Sequence, residues 1–108
     1  MTVKALAEIE VFESVVLPEP KREIEGVYIG DLLSWVMGRA SASQIWVTIM
    51  SNVNILAVAA LADVSCIIIA EGVKLEKEVI DTAKEKGINI ISTDMTMYDT
   101  AVFLNSVL

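Results

Sequence analysis

From position 44 to position 108, short runs of β-branched and apolar residues alternate with longer stretches of helical periodicity. Residues 45–49, 66–70 and 88–92 are compact apolar runs that read as strands. Between and after them, residues 53–62, 75–86 and the segment following Thr96 read as helices. Ser51 or Asn52 stands where the first of these helices needs an N-cap. Gly87 is placed to end the second, and Thr96 and Asp99 have capping-box spacing ahead of the third. Strands and helices alternating at this spacing predict a parallel sheet covered on both faces. The expected class is therefore α/β, a three-layer α/β/α sandwich with a mostly parallel sheet. The unbroken Ile67-Ile68-Ile69 suits a central strand buried from both sides.

Upstream the pattern is weaker. Thr2 is suited to cap a short helix carrying Val3, Leu6 and Ala7, and residues 9–16 have the partial alternation of a strand. Pro18 and Pro20 make residues 17–21 a loop. Residues 24–29 form a further strand candidate, and Asp31 is the expected N-cap of a helix over 32–40.

The helices differ in how they are expected to meet water. In 75–86, Leu75, Val79, Ile80 and Ala83 form one stripe, opposite Glu76, Lys77, Glu78, Asp81, Lys84 and Glu85. Segment 53–62 has no polar face, so it must be buried all round. Either the N-terminal segment or the last helix covers it, or its alanine-rich outer side packs on another subunit. The second alternative selects Ile55, Ala59 and Ala62, with Leu33, Trp35 and Met37 of the preceding helix, as interface candidates.

Composition sharpens this picture. A chain of 108 residues makes one domain, here a variable N-terminal stretch over 1–23 and an α/β core over 24–108. It is 55% hydrophobic, with mean hydropathy +0.61. So small a domain has much surface for its volume, and the surplus apolar material favours a homodimer. No apolar run approaches the ~20 residues that span a bilayer, and no secretion signal is evident. The net charge of −7 argues against nucleic acid and anionic lipid as partners. Cys66 is the single cysteine and lies in an apolar strand, so an inert buried thiol in a reducing cytoplasm is expected.

The chemistry available is narrow. With no histidine, serine–histidine and cysteine–histidine nucleophile systems are excluded, and zinc sites built on His and Cys fall with them. The glycines form neither a dinucleotide fingerprint nor a phosphate-binding loop ending in Gly-Lys-[Ser/Thr]. What remains lies at the carboxyl ends of the strands, where open parallel sheets bind ligands at a switch in strand order. That rule gathers Asp31, Ser51, Asn52, Asn54, Glu71, Gly72, Thr93 and Asp94 as candidates. Ordinary helix capping accounts for Asp31 and Asn52 as well. A magnesium variant would use Asp31, Glu71 and Asp94. Trp35 and Trp46 read as core or interface, and Tyr98 as a helix-face core residue or the border of a pocket.

Four stretches taken together resemble a known family. They are Gly30-Asp31-Leu32-Leu33-Ser34-Trp35-Val36-Met37, Trp46-Val47-Thr48-Ile49, Asn54-Ile55-Leu56-Ala57-Val58-Ala59 and Ile90-Ile91-Ser92-Thr93-Asp94. Their order and spacing resemble the DRTGG-domain family from about Glu25 onward. Where the Asp-Arg-Thr-Gly-Gly stretch falls, this chain has Arg22-Glu23-Ile24-Glu25-Gly26-Val27, and only Gly26 persists. The resemblance implies a fold like the N-terminal domain of HPr kinase/phosphorylase. It also implies a regulatory or dimerising module, as found beside phosphotransacetylase and beside CBS domains in regulated pyrophosphatases, without catalytic residues. The expected function is thus a non-catalytic homodimeric module, without a cofactor, binding a partner protein or a regulatory small molecule. The alternatives are a nucleotide or anion sensor at the strand ends and, third, a metal-dependent phosphoryl-transfer enzyme.

Overall fold

The computed structural model describes residues 1–108. The elements are α1 (Val3–Ala7), β1 (Glu13–Val16), β2 (Gly26–Ile29), α2 (Leu33–Arg39), β3 (Gln44–Thr48), α3 (Asn54–Ala62), β4 (Cys66–Ile69), α4 (Lys77–Lys86), β5 (Ile90–Ser92) and α5 (Met97–Val107). One five-stranded sheet has the order β1-β5-β4-β3-β2. Strands β2 to β5 are parallel, and β1 joins β5 antiparallel. The expected mostly parallel sheet is therefore present.

Side-chain alternation divides the core into two layers. Ile67 and Ile69 of β4 join Trp46, Val36 of α2, Ile55, Leu56, Val58 and Ala59 of α3, and Val79 and Ala83 of α4. Cys66 and Ile68 join Ile45, Val47 and Ile91, together with Val3, Leu6 and Ala7 of α1, Phe12 and Leu104 of α5. All of β4 is fully buried. Each of its isoleucines contributes roughly 1.5–3 kcal/mol by leaving water. Burial also pushes the Cys66 thiol up to about 12, only partly offset by the positive charge of Arg22. The expected inert thiol is what the fold provides.

Several local expectations change. Only residues 13–16 of the 9–16 stretch form strand, because turns closed by Ile9 N–H to Leu6 and Phe12 N–H to Ile9 bring Phe12 inward against Phe103. Helix α4 starts at Lys77 rather than 75, since Glu76 is extended and Leu75 packs against the core. Thr2 and Thr96 do cap their helices, accepting from the amides of Ala5 and Asp99. Asn52 accepts from the Asn54 amide, with Val53 in the cap position. Asp31 is not a helix cap: α2 begins at Leu33 after an extended Leu32, and the carboxylate is drawn elsewhere.

The N-terminal stretch is integral to the fold. Buried Asn89 accepts from the Glu19 N–H at 2.9 Å and donates from Nδ2 to the carbonyls of Glu19 at 2.7 Å and Ser65 at 2.9 Å. It thereby ties the proline loop to the entries of β4 and β5. Arg22 bonds both the side chain and the carbonyl of Asp63, which ends α3 in a left-handed conformation. We expect Asn89→Ala to destabilise the protein by about 3 kcal/mol, because it strands backbone groups away from water. Urea unfolding checks this, and an unchanged midpoint would show that the proline loop is held by other contacts.

Candidate functional site

Because β2 to β5 run parallel, their carboxyl ends share one edge of the sheet. Residues following the four strands are consequently neighbours at that edge, but they form separate groups.

At the β2–β3 end, Asp31 Oδ1 accepts from Thr48 Oγ1 at 2.6 Å and from the Ile49 N–H at 3.0 Å. Thr48 in turn accepts from the Met50 N–H. Chain ends leaving a sheet expose backbone donors, and this carboxylate satisfies one of them. Thr48 was absent from the candidates. Its only sequence signal is a Thr-x-Met pattern repeated at Thr93-Asp94-Met95, where Thr93 accepts from the Met95 N–H and donates to the Val11 carbonyl.

At the β4–β5 end the two exit loops are tied together. The Glu71 N–H donates to Met95 O, the Gly72 N–H to Thr93 O, and the Met97 N–H to Glu71 Oε2. Glu71 and Gly72 both have left-handed φ, +62° and +69°. A Cβ at Gly72 would stand 3.1 Å from Asp94 Oδ1. Gly72, Thr93 and Asp94 are thus brought together, with Thr93 committed to structure.

Two recesses along this edge are lined by candidate residues. One, about 360 Å³, has Ser51, Asn52 and Val53 on one side and Lys74, Glu76 and Glu78 on the other. The second, about 250 Å³, is lined by Thr93 and Asp94 with Glu10 and Glu13. Asp31 and Asn54 line neither. Lys74, missed because it lies in a loop with no motif, is the one cation in either recess. Asp31, Glu71 and Asp94 do not converge, so the three-carboxylate magnesium variant has no site as drawn.

The apolar outer surface also differs from expectation. Ile55 and Ala59 are fully buried against the sheet, so they are core rather than interface. Ala62 and Leu33 are half-buried, while Trp35 and Met37 are about half exposed. An all-apolar helix offers no polar face to orient it, so its inward stripe was not assignable from sequence. The outward stripe is Val53, Ala57, Ala60 and Leu61, with Leu61 74% exposed. Neither α1 nor α5 covers it, because both pack on the opposite layer. Trp46 is core, donating from its indole N–H to Gly30 O. Tyr98 is 76% exposed and borders no recess, contrary to either expected role.

A family profile described as the DRTGG domain matches residues 19–107. The chain belongs to the DRTGG-domain family. The DRTGG fold is seen in a solved structure of the CBS and DRTGG domains of the regulatory region of Clostridium perfringens pyrophosphatase, complexed with the activator diadenosine tetraphosphate. It superposes with a TM-score of 0.65 at 21% identity, over 83% of this chain. This DRTGG domain spans 40% of the length of that chain. No curated protein matches the sequence.

We expect Gly72→Ala to cost about 1–2 kcal/mol, from the left-handed backbone and the contact with Asp94. Adding Asp94→Ala should restore part of the loss in thermal melts; no recovery would mean that backbone strain alone sets the cost.

Proposed function

We propose that this DRTGG domain is a non-catalytic regulatory module of the cytoplasm. It works as a homodimer through the outer face of α2 and α3 and binds a partner protein or a regulatory small molecule. The observation that carries this reading is an outer face free of carboxylates. Arg39 is the only charged residue between positions 32 and 62, in a chain of net charge −7. Its guanidinium lies 3.7 Å from the centroid of the Trp35 ring, an attraction between cation and π-face. Leu32, Trp35, Met37, Val53 and Leu61 are all exposed on or beside these helices. Burying such a face removes apolar area from water without desolvating a carboxylate. Regulation rather than catalysis accords with the family and with the absence of histidine and of a phosphate-binding loop. A kinase assignment by analogy with HPr kinase lacks that loop.

Sedimentation across a dilution series is expected to show a dimer at micromolar concentration. Leu61→Asp should weaken association by about tenfold or more while leaving the fold intact, since the side chain is already in water. A wild-type monomer throughout the series would refute the dimer.

A second reading, a nucleotide or anion sensor, is favoured by Lys74 beside Ser51 and Asn52. The activator bound to the pyrophosphatase regulatory region is itself a nucleotide. Thermal melts with ATP, diadenosine tetraphosphate and inorganic phosphate test it, because a ligand that binds only the folded state raises Tm. The expected shift disappears in Lys74→Ala and Asn52→Ala; a shift that survives both would move the site away from this recess.

A further inference from the structure

Only one of the two outer strands of the sheet is protected from pairing. β1 is bulged between Ser14 and Val16, begins with exposed Glu13, and runs on toward Pro18 and Pro20. Bulges, charges and prolines are the devices that keep an edge strand from adding another chain. Within its own four residues β2 has none of these. It reads Gly26-Val27-Tyr28-Ile29, in unbroken register with β3, and no backbone hydrogen bond leaves it for any other element.

An apolar trough of about 360 Å³ runs between β2 and α5, walled by Val27 and Ile29 on one side and Ala101, Leu104 and Leu108 on the other. A second recess continues it past Gly26 toward Ile24 and Glu25. Val27 and Ile29 share one face of the strand by its two-residue period, so a strand laid beside β2 would set alternate side chains over this trough.

The charges at its ends are acidic. The terminal ammonium of Met1 pairs with Glu23, and Arg22 pairs with Asp63. That leaves Glu25 before the strand and Asp31 after it, both exposed and without a cationic partner, Asp31 being bonded only to the uncharged Thr48 hydroxyl and Ile49 N–H. A second copy of this chain, paired antiparallel through its own β2, would bring Glu25 of one copy beside Asp31 of the other. Like charges so placed oppose that pairing. A basic segment meets the same residues favourably.

We infer that β2 accepts an extended segment of a partner protein as a sixth strand, with apolar side chains at alternate positions over the trough and Lys or Arg at its ends facing Glu25 and Asp31. Backbone hydrogen bonds supply affinity in this mode, while the trough and the end charges supply selectivity. The surface is separate from the α2–α3 face, so the two stand or fall independently.

The test uses a fluorescein-labelled synthetic peptide, Lys-Val-Thr-Val-Thr-Val-Lys, and the same peptide with Glu at both ends. Fluorescence anisotropy on the full chain is expected to show saturable binding of the Lys-ended peptide, at least about tenfold tighter than the Glu-ended one. Ile29→Lys should weaken binding by a similar factor, and Leu61→Asp should leave it unchanged. If Ile29→Lys lowers Tm, Ala101→Lys on the opposite wall of the trough takes its place. Amide exchange at residues 26–29 should slow on adding the Lys-ended peptide. The inference is overturned by absence of saturation, by equal affinity for the two peptides, or by binding that ignores both trough substitutions. Protection of the β2 amides that rises with protein concentration alone would also overturn it, because a second copy would then occupy the edge.

Discussion

The handedness of the β–α–β crossover governs this molecule. Parallel strands joined through a helix cross over right-handedly in nearly all proteins. Here β2, β3, β4 and β5 lie side by side in chain order, so α2, α3 and α4 all fall on one face. A parallel sheet needs both faces covered. The opposite face is therefore left to the terminal elements, α1 with Phe12 and α5 with Leu104. That arrangement makes the N-terminal residues part of the core rather than an appendage, and Asn89, Ser65 and Asp63 hold them there.

The same constraint decides which surfaces remain open. Since α1 and α5 are needed on the far side, nothing in the chain covers the outer stripe of α3. Since the strands do not reverse their order, there is no crevice between diverging halves of the sheet. The nearest equivalent is the gap between the exits of β4 and β5, where the chain changes faces to form α5. Glu71, Gly72, Thr93 and Met95 close that gap with their own hydrogen bonds. Room for a ligand is displaced to the recess between Ser51 and Lys74, and to the trough that short coverage leaves beside β2.

Charge is distributed in keeping with these surfaces. Carboxylates crowd the loops and the amphipathic α4, which keeps an apolar protein apart from its neighbours in solution. Their absence from positions 32–62, where Arg39 is the lone charge, marks the one broad face where contact carries little desolvation cost. Glu25 and Asp31 bracket the open strand and bias it against its own kind.

Periodicity alone determined the class of fold, the regular elements after position 44, and the inert burial of Cys66, because strand and helix periods are local and Ile67–Ile69 leaves no exposed side. The capping by Thr2 and Thr96 was equally local, requiring only a hydroxyl three residues before a free amide. Asp31 defeated the same logic, since its partners Thr48 and Ile49 lie at the exit of another strand and are joined to it only by the sheet register. Ile55 and Ala59 were misplaced for a related reason: a helix apolar on every side carries no mark of its inward face, and only packing against Trp46, Ile67 and Ile69 selects it. Lys74 and the β2 edge acquire meaning from neighbours distant in sequence. Local periodicity thus sets which elements form, while the order and handedness of the sheet set which residues meet and which face water.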